Sequence, residues 1–280
     1  MEKAKKKKSE TIVRATSAML GFPLISLLLA FGNDIAIDIL ITIISIICSI
    51  EFTHCFKSTK KANPSKWYLF CVSAILPFTH LLSDVALKEI LIALIPVSLL
   101  VLITELILSK GKKNITDVSI TLLGVCYIPL MLVFLSIIRQ RFAEGRLLAW
   151  YVFWAAWGSD IFAYCIGKKF GKHKYTDISP KKSIEGCVAG VVGAILISLL
   201  YTFLINLLYN LSISYIIVAT IVLILSIVGQ IGDLAASSMK RYCEIKDFGE
   251  LIPGHGGMLD RIDSVIFILP FAYILLGLLV

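Results

Sequence analysis

The residues best suited to chemistry fall in two stretches, 157–186 and 230–263, each combining carboxylates, cations, Gly and Ser. In the second, Gln230, Asp233, Ser237, Lys240 and Arg241 follow helical spacing. A helix continuing past residue 231 therefore sets a carboxylate, a hydroxyl and two cations on one face. Asp260 and Asp263, three residues apart, share a face at the start of a further helix. Carboxylates so arranged can hold a hard cation such as Mg²⁺, which prefers oxygen ligands and shares them with substrate phosphates. Between the two, Pro253-Gly254-His255-Gly256-Gly257 is a side-chain-poor loop whose amides can approach phosphate oxygens. Each feature has a plainer role when taken singly. Asp260 and Asp263 complement a helix N-terminus, the glycines make a turn, Lys240 and Arg241 mark topology, and His255 is a loop histidine. Their density beside an apolar segment favours a site that handles phosphate and metal.

In the first stretch, Asp160 lies inside an apolar segment. A charge at mid-membrane depth costs roughly 2.5–3.5 kcal/mol on insertion scales, so such a residue is a functional candidate. Ser179-Pro180 has the pattern of an N-cap followed by Pro at the first helical position. That expectation puts Lys181 and Lys182 in a first helical turn, where the dipole disfavours cations unless phosphate binds there. Two more topology charges are the equal alternative. Gly186, Gly190 and Gly193 suit close helix packing. Glu105, Asp38 and His80 also sit in apolar segments and receive no role.

The elements that carry these residues follow from composition. Of the 280 residues 58% are hydrophobic and 16% charged, against roughly 45–50% and 25% in soluble proteins. An ordinary soluble protein and a disordered one are both excluded. Apolar segments fall at about 14–32, 35–52, 67–83, 89–108, 117–138, 147–166, 187–208, 212–231 and 262–280. Each approaches the ~20 residues that a helix needs to cross a bilayer. The alternation of a membrane barrel is absent. The expectation is an all-α polytopic membrane protein of about nine spans. Residues 1–150 form an N-terminal membrane region of about five spans, and 151–280 a C-terminal catalytic one. The first segment reads as a retained span rather than a cleaved signal.

Of the 27 Lys and Arg residues, all but Lys88, Arg139, Arg141 and Arg146 fall on one side of this arrangement. The N-terminus is therefore expected in the cytoplasm and the C-terminus outside. The net charge of +8 is mostly this topology signal, and no nucleic-acid partner is expected. The seven cysteines form no CxxC pair and read as apolar packing residues.

The second stretch resembles a known signature. Ser237-x-Met239-Lys240-Arg241-x4-Lys246-Asp247-x-Gly249-x2-Ile252-Pro253-x-His255-Gly256-Gly257-Met258-x-Asp260-Arg261-Ile262-Asp263 is similar to that of the phosphatidate cytidylyltransferases, or CDP-diacylglycerol synthases, with no departure. Asp160-x-x-Ala163-Tyr164, Gly167-Lys168, Phe170-Gly171 and Ser179-Pro180-Lys181-Lys182-Ser183-x-Glu185-Gly186 look like the same family, as does Arg14. The strong resemblance covers residues 157–263. It implies that CTP and phosphatidic acid give CDP-diacylglycerol and pyrophosphate at the cytoplasmic face of the cell (inner) membrane, with Mg²⁺ and room for a second cation.

The resemblance also implies residue roles. Asp233 and Asp260 are the metal ligands, with Asp263 near them. Lys181, Lys182, Lys240, Arg241 and Lys246 contact phosphates, while Ser237, Asp247 and His255, Gly256 and Gly257 shape the site. Asp160, Ser179 and Arg261 join the substrate-binding set. A homodimer is carried as an expectation. Two alternatives stay open: a CTP-dependent enzyme on another lipid, such as an ether-lipid CDP synthase or a polyprenol kinase, and an ion-coupled transporter. The full signature argues against a kinase. No inverted repeat supports a transporter.

Overall fold

The computed structural model describes residues 26–176, 178–180, 182–249 and 256–279. Arg14, Lys181, Pro253 and His255 lie outside the described residues. After a helical stretch over residues 26–31 come α1 (Asp34–Ser58), α2 (Lys66–Ile75), a 3₁₀ turn (Thr79–Leu81) and α3 (Asp84–Leu108). Then follow α4 (Ile115–Tyr127), α5 (Pro129–Arg141), the single turn α6 (Gly145–Leu148), α7 (Trp150–Phe170), α8 (Ile184–Tyr209), α9 (Tyr215–Tyr242) and α10 (Leu259–Leu276). There is no strand among the described residues, and an isolated β-bridge joins Lys174 and Ser183. The chain is thus an all-α polytopic membrane protein.

Five described stretches are long and apolar enough to cross a membrane: α1, α3, Ile115–Arg141, α8 and α9. Bilayer-spanning helices carry apolar residues all round, because lipid rather than water meets their outer face. On α3 this leaves Ile92 and Leu100 about 77% and 69% exposed. The expected segment 67–83 differs most from its structure. α2 has 10 residues, about 15 Å of helix against a hydrocarbon core of ~30 Å. Pro77 lacks the N–H needed to extend it.

Local signals set the helix starts. Asn33 caps α1 by accepting from Ala36 N–H at 2.8 Å. Asn114 and Asp117 form a reciprocal capping box at α4. Ser183, not Ser179, caps α8, accepting from Gly186 N–H at 3.1 Å. The Ser179-Pro180 expectation therefore fails by four residues. Pro180 lies in a turn closed by the bond from Lys182 N–H to Ser179 C=O, 3.0 Å, and Lys182 precedes the helix. The loop before α8 prefers the short ladder in which Tyr175 N–H meets Lys182 C=O at 2.9 Å and Ile184 N–H meets His173 C=O at 3.0 Å.

By packing, the described residues divide into two units. The first holds those up to Ser136 together with Tyr242–Ile262, the second Ile137–Arg241 together with those from Asp263 onward. In the first, α1 packs on α2 and α4, with Gly124 admitting Phe52 and Leu69; a Cβ there would stand 3.0 Å from each side chain. In the second, α7 and α8 lie closest. A Cβ on Gly190 would come 2.7 Å from Ser159 C=O, and one on Gly186 2.9 Å from Ala163 C=O. The small-residue stripe on α8 thus does the packing work expected of it. Gly232 likewise lets α10 approach α9, where a Cβ would meet Phe267 at 2.7 Å.

Candidate active site

In the second unit a pocket of about 550 Å³ is lined by Ser159, Asp160, Tyr164, Lys168, Ser179, Lys182, Gly186 and Gln230, among others. Gln230, on α9, donates from Nε2 to Ser159 Oγ at 3.1 Å and to Cys187 C=O at 3.0 Å. That tie fixes α9 against α7 and α8 at the pocket wall. α9 continues to Tyr242, as the spacing of Gln230, Asp233, Ser237, Lys240 and Arg241 requires. Lys182 forms an ion pair with Asp233. Asp263 is buried and feels the charges of Asp233, Lys240 and Asp160. The two stretches singled out in the sequence therefore do meet: Asp160 and Lys182 from one, Asp233, Lys240 and Asp263 from the other. Ser237 is half-buried and Arg241 exposed on the last turns of α9.

The first unit holds the rest of the motif. Asp260, at the start of α10, accepts on Oδ2 from Phe248 N–H at 2.8 Å and Gly257 N–H at 3.1 Å. Gly256 has a φ of +87°, a conformation natural to glycine. A Cβ there would come 3.3 Å from both Asp247 Cβ and Asp260 Oδ2. Asp247 thus stands close to Asp260. Lys246 and Arg261 are exposed.

Of the loop amides expected to meet phosphate, that of Gly257 is engaged within the protein. Gly257 N–H goes to Asp260, while Met258 and Leu259 N–H donate to Glu51 Oε1 at 2.9 Å and Oε2 at 2.8 Å. Glu51, near the end of α1, was not among the sequence candidates. The signal that finds it is the one that picked out Asp160, an ionisable residue inside an apolar segment. Glu105 and Asp38 have local partners: Glu105 pairs with Lys113 at 2.6 Å, and Asp38 accepts from Ser136.

The match to known proteins decides the family. A model of the cytidylyltransferase family fits residues 12–279. The chain belongs to the cytidylyltransferase family. It is 37% identical over 182 residues to a phosphatidate cytidylyltransferase of Bacillus subtilis (strain 168), covering 65% of this chain and 66% of that protein. A phosphatidate cytidylyltransferase of Staphylococcus saprophyticus is 35% identical over 177 residues, 63% and 65% of the two chains. That of Staphylococcus aureus (strain COL) is 38% identical over 185 residues, 66% and 68%. The chain thus spans just under two thirds of the length of the first two relatives.

Carboxylates and cations gather in this cytidylyltransferase-family site. Asp233, Asp263 and Asp160 offer carboxylate oxygens, with Lys182 and Lys240 as the neighbouring cations. Among the described residues no three His, Cys, Asp or Glu side chains form a ready-made cage. Mg²⁺ in general takes one or two carboxylates and completes its shell with water and substrate phosphate, without a cage of three.

Proposed function

We propose that this chain transfers a cytidylyl group from CTP to phosphatidic acid, giving CDP-diacylglycerol and pyrophosphate in phospholipid synthesis. The observation that carries the reading is the clustering of Asp160, Lys182, Asp233, Lys240 and Asp263, in a chain whose signature 237–263 is complete. The relatives' names support the same substrate. A phosphate oxygen of the lipid attacks the α-phosphorus of CTP; that P–O bond forms, the bond from the α-phosphorus to the bridging oxygen breaks, and pyrophosphate leaves. The nucleophile is already an anion, so positioning and charge neutralisation dominate.

By the motif, Asp233 and Asp260 are the residues that would hold Mg²⁺, and Asp263 belongs to the same signature. When bound, Mg²⁺ neutralises phosphate charge and orients the leaving oxygens. Lys182 holds Asp233 and is placed to exchange that carboxylate for a phosphate oxygen. Lys240, Arg241 and Lys246 hold further phosphate charge, and Lys181 joins them. Ser179 and Asp160 line the nucleotide side of the pocket. The setting we propose is the cell (inner) membrane, crossed nine times with the N-terminus and the site on the cytoplasmic side, in a chain that pairs as a homodimer.

The test is a transfer assay with detergent-solubilised protein, labelled CTP, phosphatidic acid and Mg²⁺. A lipid-soluble cytidine product with stoichiometric pyrophosphate is expected. Release of CDP with a phosphorylated lipid would replace this reading with a kinase, and no nucleotide turnover at all would remove it.

A further inference from the structure

The first N–H groups of a helix need acceptors from outside it. In α1, α4 and α8 the acceptor is the adjacent Asn33, Asn114 or Ser183. α10 has no such residue. It is preceded by Gly256, Gly257 and Met258, none of which carries a side-chain oxygen. Its acceptor comes from a helix some two hundred residues earlier. Glu51 of α1 takes Met258 N–H on Oε1 at 2.9 Å and Leu259 N–H on Oε2 at 2.8 Å, so both carboxylate oxygens are engaged.

Two glycines of the signature make room for this side chain. A Cβ on Gly249 would stand 2.7 Å from Glu51 Oε1, and one on Gly257 2.5 Å from Oε2. A side chain at 249 or 257 would push the Glu51 carboxylate from this place, so the two glycines leave the room that it occupies. The next residue in α10 is Asp260, whose Oδ2 takes Gly257 N–H and Phe248 N–H. Glu51 and Asp260 therefore hold successive amides of one backbone segment, Met258 and Leu259 for Glu51 and Gly257 for Asp260. The site is 8% exposed at Glu51, and a negative charge at a helix N-terminus is favoured.

We propose that Glu51 is a positioning residue: it caps α10 from another helix and thereby sets where the Asp260 carboxylate stands. It touches no substrate in this assignment. Its effect on turnover rests on the cytidylyl-transfer reading, whereas its effect on the backbone does not.

The experiment uses the full chain in detergent with Glu51→Ala, Glu51→Gln and Glu51→Asp. Hydrogen exchange followed by mass spectrometry reads the amides at 256–262, with α8 as an internal reference. In Glu51→Ala the Met258 and Leu259 amides should exchange about 10-fold faster or more, as loss of a charged acceptor requires, while α8 is unchanged. The same variant should lose kcat by about 10–100-fold with the KM for CTP within a few-fold. Glu51→Asp, which keeps two acceptor oxygens, should recover part of the loss. Glu51→Gln, which turns a donor toward one of the two N–H groups, should not. Unchanged exchange at 256–262 overturns the proposal. So does an activity loss that follows only the thermal midpoint, with Asp no better than Ala. If the wild type shows no transfer, the functional reading falls and the exchange arm still decides the role of Glu51.

Discussion

Asp260 and Lys182 show how differently two motif residues can be held. Asp260 is pinned by backbone donors from Phe248 and Gly257, so removing its charge leaves the loop but takes away the carboxylate proposed to hold the metal. Asp260→Asn should cut cytidylyl transfer to below about 1% of wild type while membrane insertion, read by fractionation, stays intact. Near-normal turnover would sink the metal assignment. Lys182 is instead held by a side chain, the Asp233 carboxylate. Lys182→Met and Asp233→Asn should each lower kcat/KM by about 10–100-fold. The double variant should be no worse than Asp233→Asn alone, because paired groups act as a unit. Fully additive losses would mean that the pair is incidental to catalysis. Most of these residues were legible in the sequence, since charge density beside apolar segments is costly and so is rarely idle. Glu51 carries the same signal, but its role was not legible, because its partners lie some two hundred residues away.

At the scale of elements, α7 and α8 form the wall of the pocket, and glycine governs their spacing. Gly190→Leu forces a side chain into Ser159, whose carbonyl lies 2.7 Å and whose hydroxyl 2.9 Å from the Cβ position. The helices must part, at a cost of about 1–3 kcal/mol. The melting temperature in detergent should fall by about 2–4 °C per kcal/mol. The KM for CTP should rise as well, because Gln230 loses its hold on Ser159. A variant with unchanged melting and KM would show that the wall does not depend on this contact. The start of α8 was misread from sequence for a related reason. Ser179-Pro180 satisfies the local rule for a helix start, but the backbone at 173–184 finds better partners in its own short ladder. Ser183 then caps the helix.

For the molecule as a whole, the apolar segments and the distribution of Lys and Arg carry the topology. In a cysteine-free background, Lys112→Cys should be labelled by an impermeant thiol reagent only from the cytoplasmic side, and Lys88→Cys only from the outside. Labelling of both from one side would remove a span between them and shift every later segment. The short α2, with 10 residues, lies just before this pair and makes the comparison informative.

Composition and pattern by themselves determined the helical membrane class, the two reactive stretches and the family. These depend on hydrophobicity, charge and residue identity, all of which act locally along the chain. Only the tertiary structure decided which oxygen meets which donor: Lys182 with Asp233, Gln230 with Ser159, and Glu51 with the first amides of α10. It also showed that Gly257, read from sequence as part of a side-chain-poor loop, leaves room together with Gly249 for a buried carboxylate. Such pairings join residues tens to hundreds of positions apart. They arise because buried polar groups must find partners wherever packing brings them, and no local pattern records where that will be.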